Sequence, residues 1–184
     1  IVDSFGGYPQ MELLDRFEHD LWHSLKCGIS SNPVINAFIR TVKKHNIDDQ
    51  LITAFLTSMK ADLSKKVYTN QQETDDYIYG SANVVGLMCL QVFVEGNTED
   101  YNKLKVAATK LGSAFQKVNF LRDLKQDYED LQRTYFPDVE PTNFTEQDKT
   151  KIVTEIKNEF LEAKEGLLKL PANSKFGVYL AYCY

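Results

Sequence analysis

QKVNFLRDLKQDYEDLQRTYFP, from Gln116 to Pro137, reads as helix until its last residue, yet it carries four carboxylates and four amides among large apolar side chains. At about 100° per residue, Gln116, Asn119, Asp123, Gln126, Asp127, Asp130 and Arg133 fall in one sector roughly 120° wide. Phe120, Leu121, Leu124, Tyr128, Leu131 and Tyr135 fill the adjoining arc of about 100°, the width of an ordinary surface helix with one apolar stripe. The sorting of charge is less ordinary, because neither Lys117 nor Lys125 falls among the amides and aspartates. A solvated face mixes in neutralising neighbours, whereas Asp123 and Asp127, at i and i+4, repel each other. A hard divalent cation reverses that sign, since Mg2+ takes one or two carboxylates together with waters and phosphate oxygens. Asn119, one turn earlier, offers a neutral oxygen ligand or an anchor for a bound water.

Outward from this segment the chain is helix after helix, with no alternating strand. Met11, Leu14, Phe17 and Leu21 recur at helical spacing after Pro9. A second helix starts at Asn32 with Pro33 behind it, and a third follows Asp48 with Leu51, Ile52, Phe55, Leu56 and Met59. Thr69 with Gln72 forms a capping-box pattern ahead of a long helix that Gly96 ends. A fifth helix runs from about Thr98 to Tyr135, with Gly112 as a candidate interruption. Pro137 and Pro141 mark a loop, Thr145 with Asp148 another capping box, and a helix carrying Ile152, Ile156, Phe160 and Leu167 ends before Pro171. The pattern predicts an all-α bundle of about six helices without repeats.

Composition narrows the function. A chain of 184 residues, 43% hydrophobic and 26% charged, is made like one soluble domain. Its net charge of -5 argues against nucleic acid, which is gripped by clustered Lys and Arg. Cys27, Cys89 and Cys183 are odd in number and widely spaced, so neither a disulfide framework nor a zinc site is indicated and a reducing, cytoplasmic setting is expected. The longest apolar stretch, Ala82 to Val94, contains Asn83 and Gln91 and falls short of the ~20 residues a spanning helix needs. His19 and His23 in HDLWH have the spacing of a two-histidine metal pair, but Asp20 is a poor match to the longer glutamate base of such motifs, so a polar helix face is the simpler reading. Asn143 in NFT reads as loop and cap.

LGSAFQKVNFLRDLKQD followed by RTYFP closely resembles the second aspartate-rich motif of the squalene and phytoene synthases, the head-to-head prenyl transferases, in which a Q-x-x-N-x-x-R-D-x-x-x-D run precedes R-x-Y. IVDSF is similar to the end of the family's first motif, D-x-x-x-D, with Asp3 as its last aspartate and the first expected upstream of Ile1. YIYGSANVVGLM, Tyr77 to Met88, is similar to the family's Y-x-Y-x-x-A-G-x-V-G-x-M helix, with Asn83 where glycine is usual. Gln132 also stands where many members have glycine. The resemblance covers essentially the whole chain, including SMKADL before Tyr68. It implies a single isoprenoid-synthase-type helical bundle with a central cavity over residues 1–184, lacking the family's first helix and its C-terminal helices.

What the resemblance implies about chemistry is specific. Asp3, Asp123, Asp127 and Tyr77 are the candidate catalytic residues, and Asp3, Asn119, Asp123 and Asp127 the ligands of Mg2+, or of Mn2+ in its place. Gln116, Asn119, Arg122, Arg133 and Tyr135 would contact the diphosphate end, and Ala82, Val85 and Gly86 would leave room for a prenyl chain. A diphosphate beside these carboxylates is repelled at ~4 kcal/mol per close pair for an effective dielectric near 20, and bridging cations invert that interaction. The implied reaction joins two geranylgeranyl diphosphates into phytoene through a cyclopropylcarbinyl diphosphate, with release of diphosphate. Farnesyl-using squalene or dehydrosqualene synthases are the neighbouring alternative, and a noncatalytic assembly factor that has lost the aspartates is the alternative of another class. Lipidic substrate and product imply peripheral association with a membrane. Nothing in the sequence speaks to oligomeric state.

Overall fold

Local capping sets most of the helix starts. Asn32 accepts hydrogen bonds from the backbone of Val34 and Ile35 and opens α2, Pro33–His45, while Asp48 accepts from Gln50 and opens α3, Asp49–Asp62. Ahead of them, α1 spans Gln10–Cys27 and closes on Gly28. The computed structural model describes residues 1–2 and 5–184, the side chains of Asp130, Leu131 and Pro141 excepted. Asp3, a predicted ligand, lies outside the described residues.

The cap expected at Thr69 with Gln72 forms one residue later. Asn70 accepts from the Glu73 amide, and the Glu73 carboxylate reaches back to the Thr69 amide and hydroxyl. The helix it opens is continuous in path but not in type: α4, Gln71–Ile78, widens into a π-helical turn, Tyr79–Asn83, and tightens again as α5, Val84–Phe93. Within the π turn Gly80 lies directly against α3, where an added Cβ would stand 2.8 Å from the Ala54 carbonyl oxygen. Gly96, at φ 78, follows the end of α5 as anticipated.

Asn97 caps α6, Thr98–Leu131, which passes Gly112 without a break. It stops four residues short of the expected Tyr135. Gln132 adopts φ 56 and its amide donates to the Tyr128 carbonyl, the bond of an αL cap, while the amide of Arg133 donates to the Asp127 carbonyl. Tyr135 and Arg133 therefore leave the helical arcs in which periodicity placed them. A single turn of tighter helix, Pro141–Asn143, precedes α7, Glu146–Leu168, whose Thr145–Asp148 capping box forms in full. A helix with no counterpart in the sequence reading, α8, Ala172–Cys183, follows.

Among the described residues these eight α-helices are joined by one isolated parallel bridge, Val67 with Thr134, and by no strand. One core joins α1, α2 and α3 around Leu21, Ile39 and Leu56, and another joins α5, α6 and α7 around Leu90, Leu104 and Leu167. Ile39, Ile78 and Val84 are fully buried, each stabilising the fold by about 1.5–3 kcal/mol relative to exposure. Lys117 is buried as well, on the side of α6 away from the aspartates, where it pairs with Glu155 and Glu159 of α7. The lysine missing from the acidic stripe is thus spent on fastening α7.

Candidate active site

Phe120 and Leu124 turn inward from α6, which leaves Gln116, Asn119, Asp123 and Asp127 half-buried along one line of the helix. Arg122 donates from Nε to Asp123 Oδ1 at 2.8 Å and from Nη2 to Oδ2 at 2.6 Å. That guanidinium holds the Asp123 carboxyl below the usual carboxylate range, against the opposing effect of partial burial. Arg122 is itself 66% exposed, and an exposed pair of this kind contributes ~0–1 kcal/mol, so it can exchange partners at small cost. No three His, Cys, Asp or Glu groups gather as a complete metal cage among the described residues. Mg2+ does not require one: two hard carboxylates a turn apart, a neighbouring amide oxygen and open solvent for waters and phosphate fit its preferences. His19 and His23 instead stack with each other on α1, ring centroids 6.3 Å apart, and His23 touches Cys27.

The chain's exit from α6 builds the second part of the site. After Gln132 it doubles back against the α3–α4 connection, where Thr134 donates to the Lys66 carbonyl, Tyr68 donates to the Thr134 carbonyl, and the Thr74 hydroxyl donates to the Tyr135 carbonyl at 2.9 Å. This seats Tyr135 flat on Phe120, rings 3.9 Å apart and 3° from parallel, inside a buried cluster with Tyr68 and Tyr77. Arg133 points to the end of α3: Nη2 donates to the Asp62 carbonyl at 2.5 Å, and Nη1 lies 3.8 Å from the Asp62 carboxylate and 3.5 Å from the Tyr135 hydroxyl. The Tyr77 hydroxyl also donates to the Asp62 carboxylate. Burial first, and the Asp62 charge second, push the Tyr77 and Tyr68 phenols well above their usual range.

A cavity of about 350 Å³ forms the third part, between the π turn, α5, α6, α7 and α8. Ala82, Val85 and Gly86 line it, and Ala108, Gly112, Ala163 and Gly166 open its other walls. Gln116 and Ser81 are the main polar groups on an otherwise apolar surface. Gln116 also heads the polar line of α6, so the cavity ends about two helical turns before the first carboxylate, Asp123. Asn83, which replaces a small residue, fits because Gly112 faces it: a Cβ there would stand 2.9 Å from Asn83 Oδ1, which accepts from the Ser113 hydroxyl.

The structure thus brings Gln116, Asn119, Asp123 and Asp127 together on α6, with Arg122 beside them, and Ala82, Val85 and Gly86 onto the cavity. It sets Tyr77, Tyr135 and Arg133 apart as a cluster around Asp62, and Tyr77 is not on the cavity wall. Asp62 was not singled out in the sequence, although a signal exists: it continues the stripe of Ile52, Phe55 and Met59, and an acid on an apolar stripe needs a partner.

The family model described as Squalene/phytoene synthase matches residues 9–182. A phytoene synthase from Arthrospira platensis is 32% identical over 149 residues, covering 75% of this chain and 48% of that protein. Phytoene synthase 1, chloroplastic, from Solanum lycopersicum is 29% identical over 194 residues, covering 94% and 46%. In fold the chain is similar to the crystal structure of squalene synthase HpnC from Alicyclobacillus acidocaldarius, with a TM-score of 0.82 at 21% identity over 98% of this chain and 72% of that one. The chain spans about half the length of the curated relatives it matches.

Proposed function

Because this chain belongs to the squalene/phytoene synthase family, we propose that it serves the head-to-head condensation of two prenyl diphosphates. The observation that carries the proposal is that one helix, α6, walls an apolar cavity as far as Gln116 and, about two turns further on, carries the half-buried carboxylates of Asp123 and Asp127. A prenyl diphosphate has that same division, a hydrocarbon tail and a polyanionic head.

The residues divide the work accordingly. Asp123 and Asp127, with Asn119 and the undescribed Asp3, would hold Mg2+ or Mn2+, which when bound withdraws charge from the leaving diphosphate. Arg122 sits where it can release Asp123 and take up phosphate oxygens, and a guanidinium suits that exchange because its forked donors match both anions. Breaking the allylic C–O bond leaves a carbocation that water would quench. The walls around Ala82, Val85, Gly86 and Phe115 exclude water there, and aromatic faces can stabilise positive charge. The double bond of the second substrate closes a cyclopropane with loss of a proton; loss of the second diphosphate and rearrangement, with a second proton, yield the linear polyene. No nucleophilic side chain and no reductant enter that balance.

Relatives named phytoene synthases at 29% to 32% identity favour geranylgeranyl diphosphate as substrate and phytoene as product. Farnesyl diphosphate is the shorter alternative. The aspartates and Arg122 disfavour a noncatalytic assembly role, since a scaffold has no use for like charges one turn apart. No helix among the described residues is long and apolar enough to cross a membrane. The hydrocarbon tails of substrate and product favour peripheral contact with lipid.

Incubation of the protein with each diphosphate and Mg2+, followed by identification of the hydrocarbon, tests the proposal. Phytoene from geranylgeranyl diphosphate, abolished by a chelator and restored by Mg2+, is the expected result. Absence of hydrocarbon from both substrates would overturn it.

A further inference from the structure

Asp62 stands apart from the acidic line of α6, at the last position of α3, and only 9% of its side chain is exposed. It faces Tyr77 and Arg133, both distant from it in sequence. Its carboxylate accepts from the Tyr77 hydroxyl and lies 3.8 Å from Arg133, and its carbonyl accepts from the same guanidinium. Arg133 in turn reaches the Tyr135 hydroxyl at 3.5 Å. Tyr135 is within electrostatic reach of both Asp62 and Asp127, so this cluster adjoins the acidic line without belonging to it.

We infer that Asp62 is a positioning residue for the reaction proposed above, fixing the Tyr77 hydroxyl and the Arg133 guanidinium beside the aspartate end of α6. The argument is one of competition. Arg122 already pairs with Asp123, and a second guanidinium beside Asp123 and Asp127 would neutralise the carboxylates that a divalent cation must use; Arg133 is close enough in sequence to supply it. The Asp62 carbonyl accepts its hydrogen bond and the buried Asp62 charge attracts it from 3.8 Å, which keeps it out of the acidic line and leaves its remaining N–H groups for phosphate oxygens. For Tyr77 the same carboxylate fixes the hydroxyl proton, so the oxygen lone pairs point away from Asp62. A neutral amide oxygen could accept the tyrosine hydrogen bond but would hold the arginine without opposite charge, leaving the backbone carbonyl as its remaining anchor.

The inference rests on the condensation reading, and its test keeps the two apart by running wild type and variants in one assay. Asp62→Asn should lower kcat by about tenfold or more with KM for the prenyl diphosphate within roughly threefold, since positioning acts on the reacting complex more than on tail binding. It should also raise the Mg2+ concentration needed for half-maximal rate, a shift that a general loosening of the fold would not produce. In the Asp62→Asn background, Arg133→Gln should bring that Mg2+ requirement back toward the wild-type value, because the released guanidinium is then gone. If Asp62→Asn fails to fold, Tyr77→Phe, which removes one hydroxyl, should still lower kcat with KM preserved. An active wild type beside a Tyr77→Phe variant of undiminished kcat, or an Asp62→Asn variant with an unshifted Mg2+ requirement, would overturn the role of Asp62 alone. An inactive wild type would overturn the condensation and this role with it.

Discussion

Asp123 and Asp127 test whether the acidic line serves chemistry or folding. Asp123→Asn loses an exposed pair with Arg122 and relieves repulsion from Asp127, two effects that are each below ~1 kcal/mol and opposite in sign. Melting temperature should therefore stay nearly constant for Asp123→Asn and Asp127→Asn, while Mg2+-dependent diphosphate release falls by orders of magnitude. Variants that melt early yet release diphosphate at wild-type rates would remove these residues from the site. Gln132 is a different case. It closes α6 in the left-handed region, which costs a side-chain-bearing residue about 1 kcal/mol or more, partly offset by the greater chain entropy of glycine. Gln132→Gly should raise stability by roughly 0.5 kcal/mol in denaturant unfolding. The same residue explains why Tyr135 was misplaced by periodicity: with no glycine or proline at the break, the apolar spacing ran on past the true helix end.

At the scale of elements, the π turn and α6 fit through one complementary pair. Gly112→Ala would drive a Cβ into Asn83 and the Ala82 carbonyl and should cost about 1–3 kcal/mol, with Asn83→Gly in the same chain recovering part of the loss. Equal destabilisation in both backgrounds would show that the two positions are independent. At α7, hydrogen bonds from the Thr145 hydroxyl and amide hold the Asp148 carboxyl below its usual range. A depressed carboxyl pKa contributes stability that is present above the unfolded value and is lost as pH falls through the folded one. The first turn of α7 should accordingly fray in acid, below the ordinary carboxylate range, visible as faster exchange of the Asp148 amide, and Thr145→Ala should cost about 1 kcal/mol at neutral pH.

Across the whole molecule, what was legible followed from local rules. Caps at Asn32, Asp48 and Thr145 and the stripes behind them are encoded within a few residues, and so is the sorting of charge along α6. The helix α8 was not legible, because Pro171 provides no side-chain cap and Phe176 and Leu180 face outward, which blurs any stripe. The Asp62 cluster was hidden for another reason: its members come from α3, α4 and the chain beyond α6, and only the turn at Gln132 makes them neighbours. That origin bears on how the protein acquires its structure in time. Helical turns close between residues a few positions apart, but Arg133 reaches Asp62 across 71 positions and Thr74 reaches Tyr135 across 61. Closing such spans carries an entropic cost that contacts within one helix avoid. The bundle should therefore collapse onto its helices first and join the strap between Lys66 and Tyr135 last. The end of the bundle that holds Asp62, Arg133 and Tyr135 is then the final part to form during refolding and the first to open as the chain unfolds.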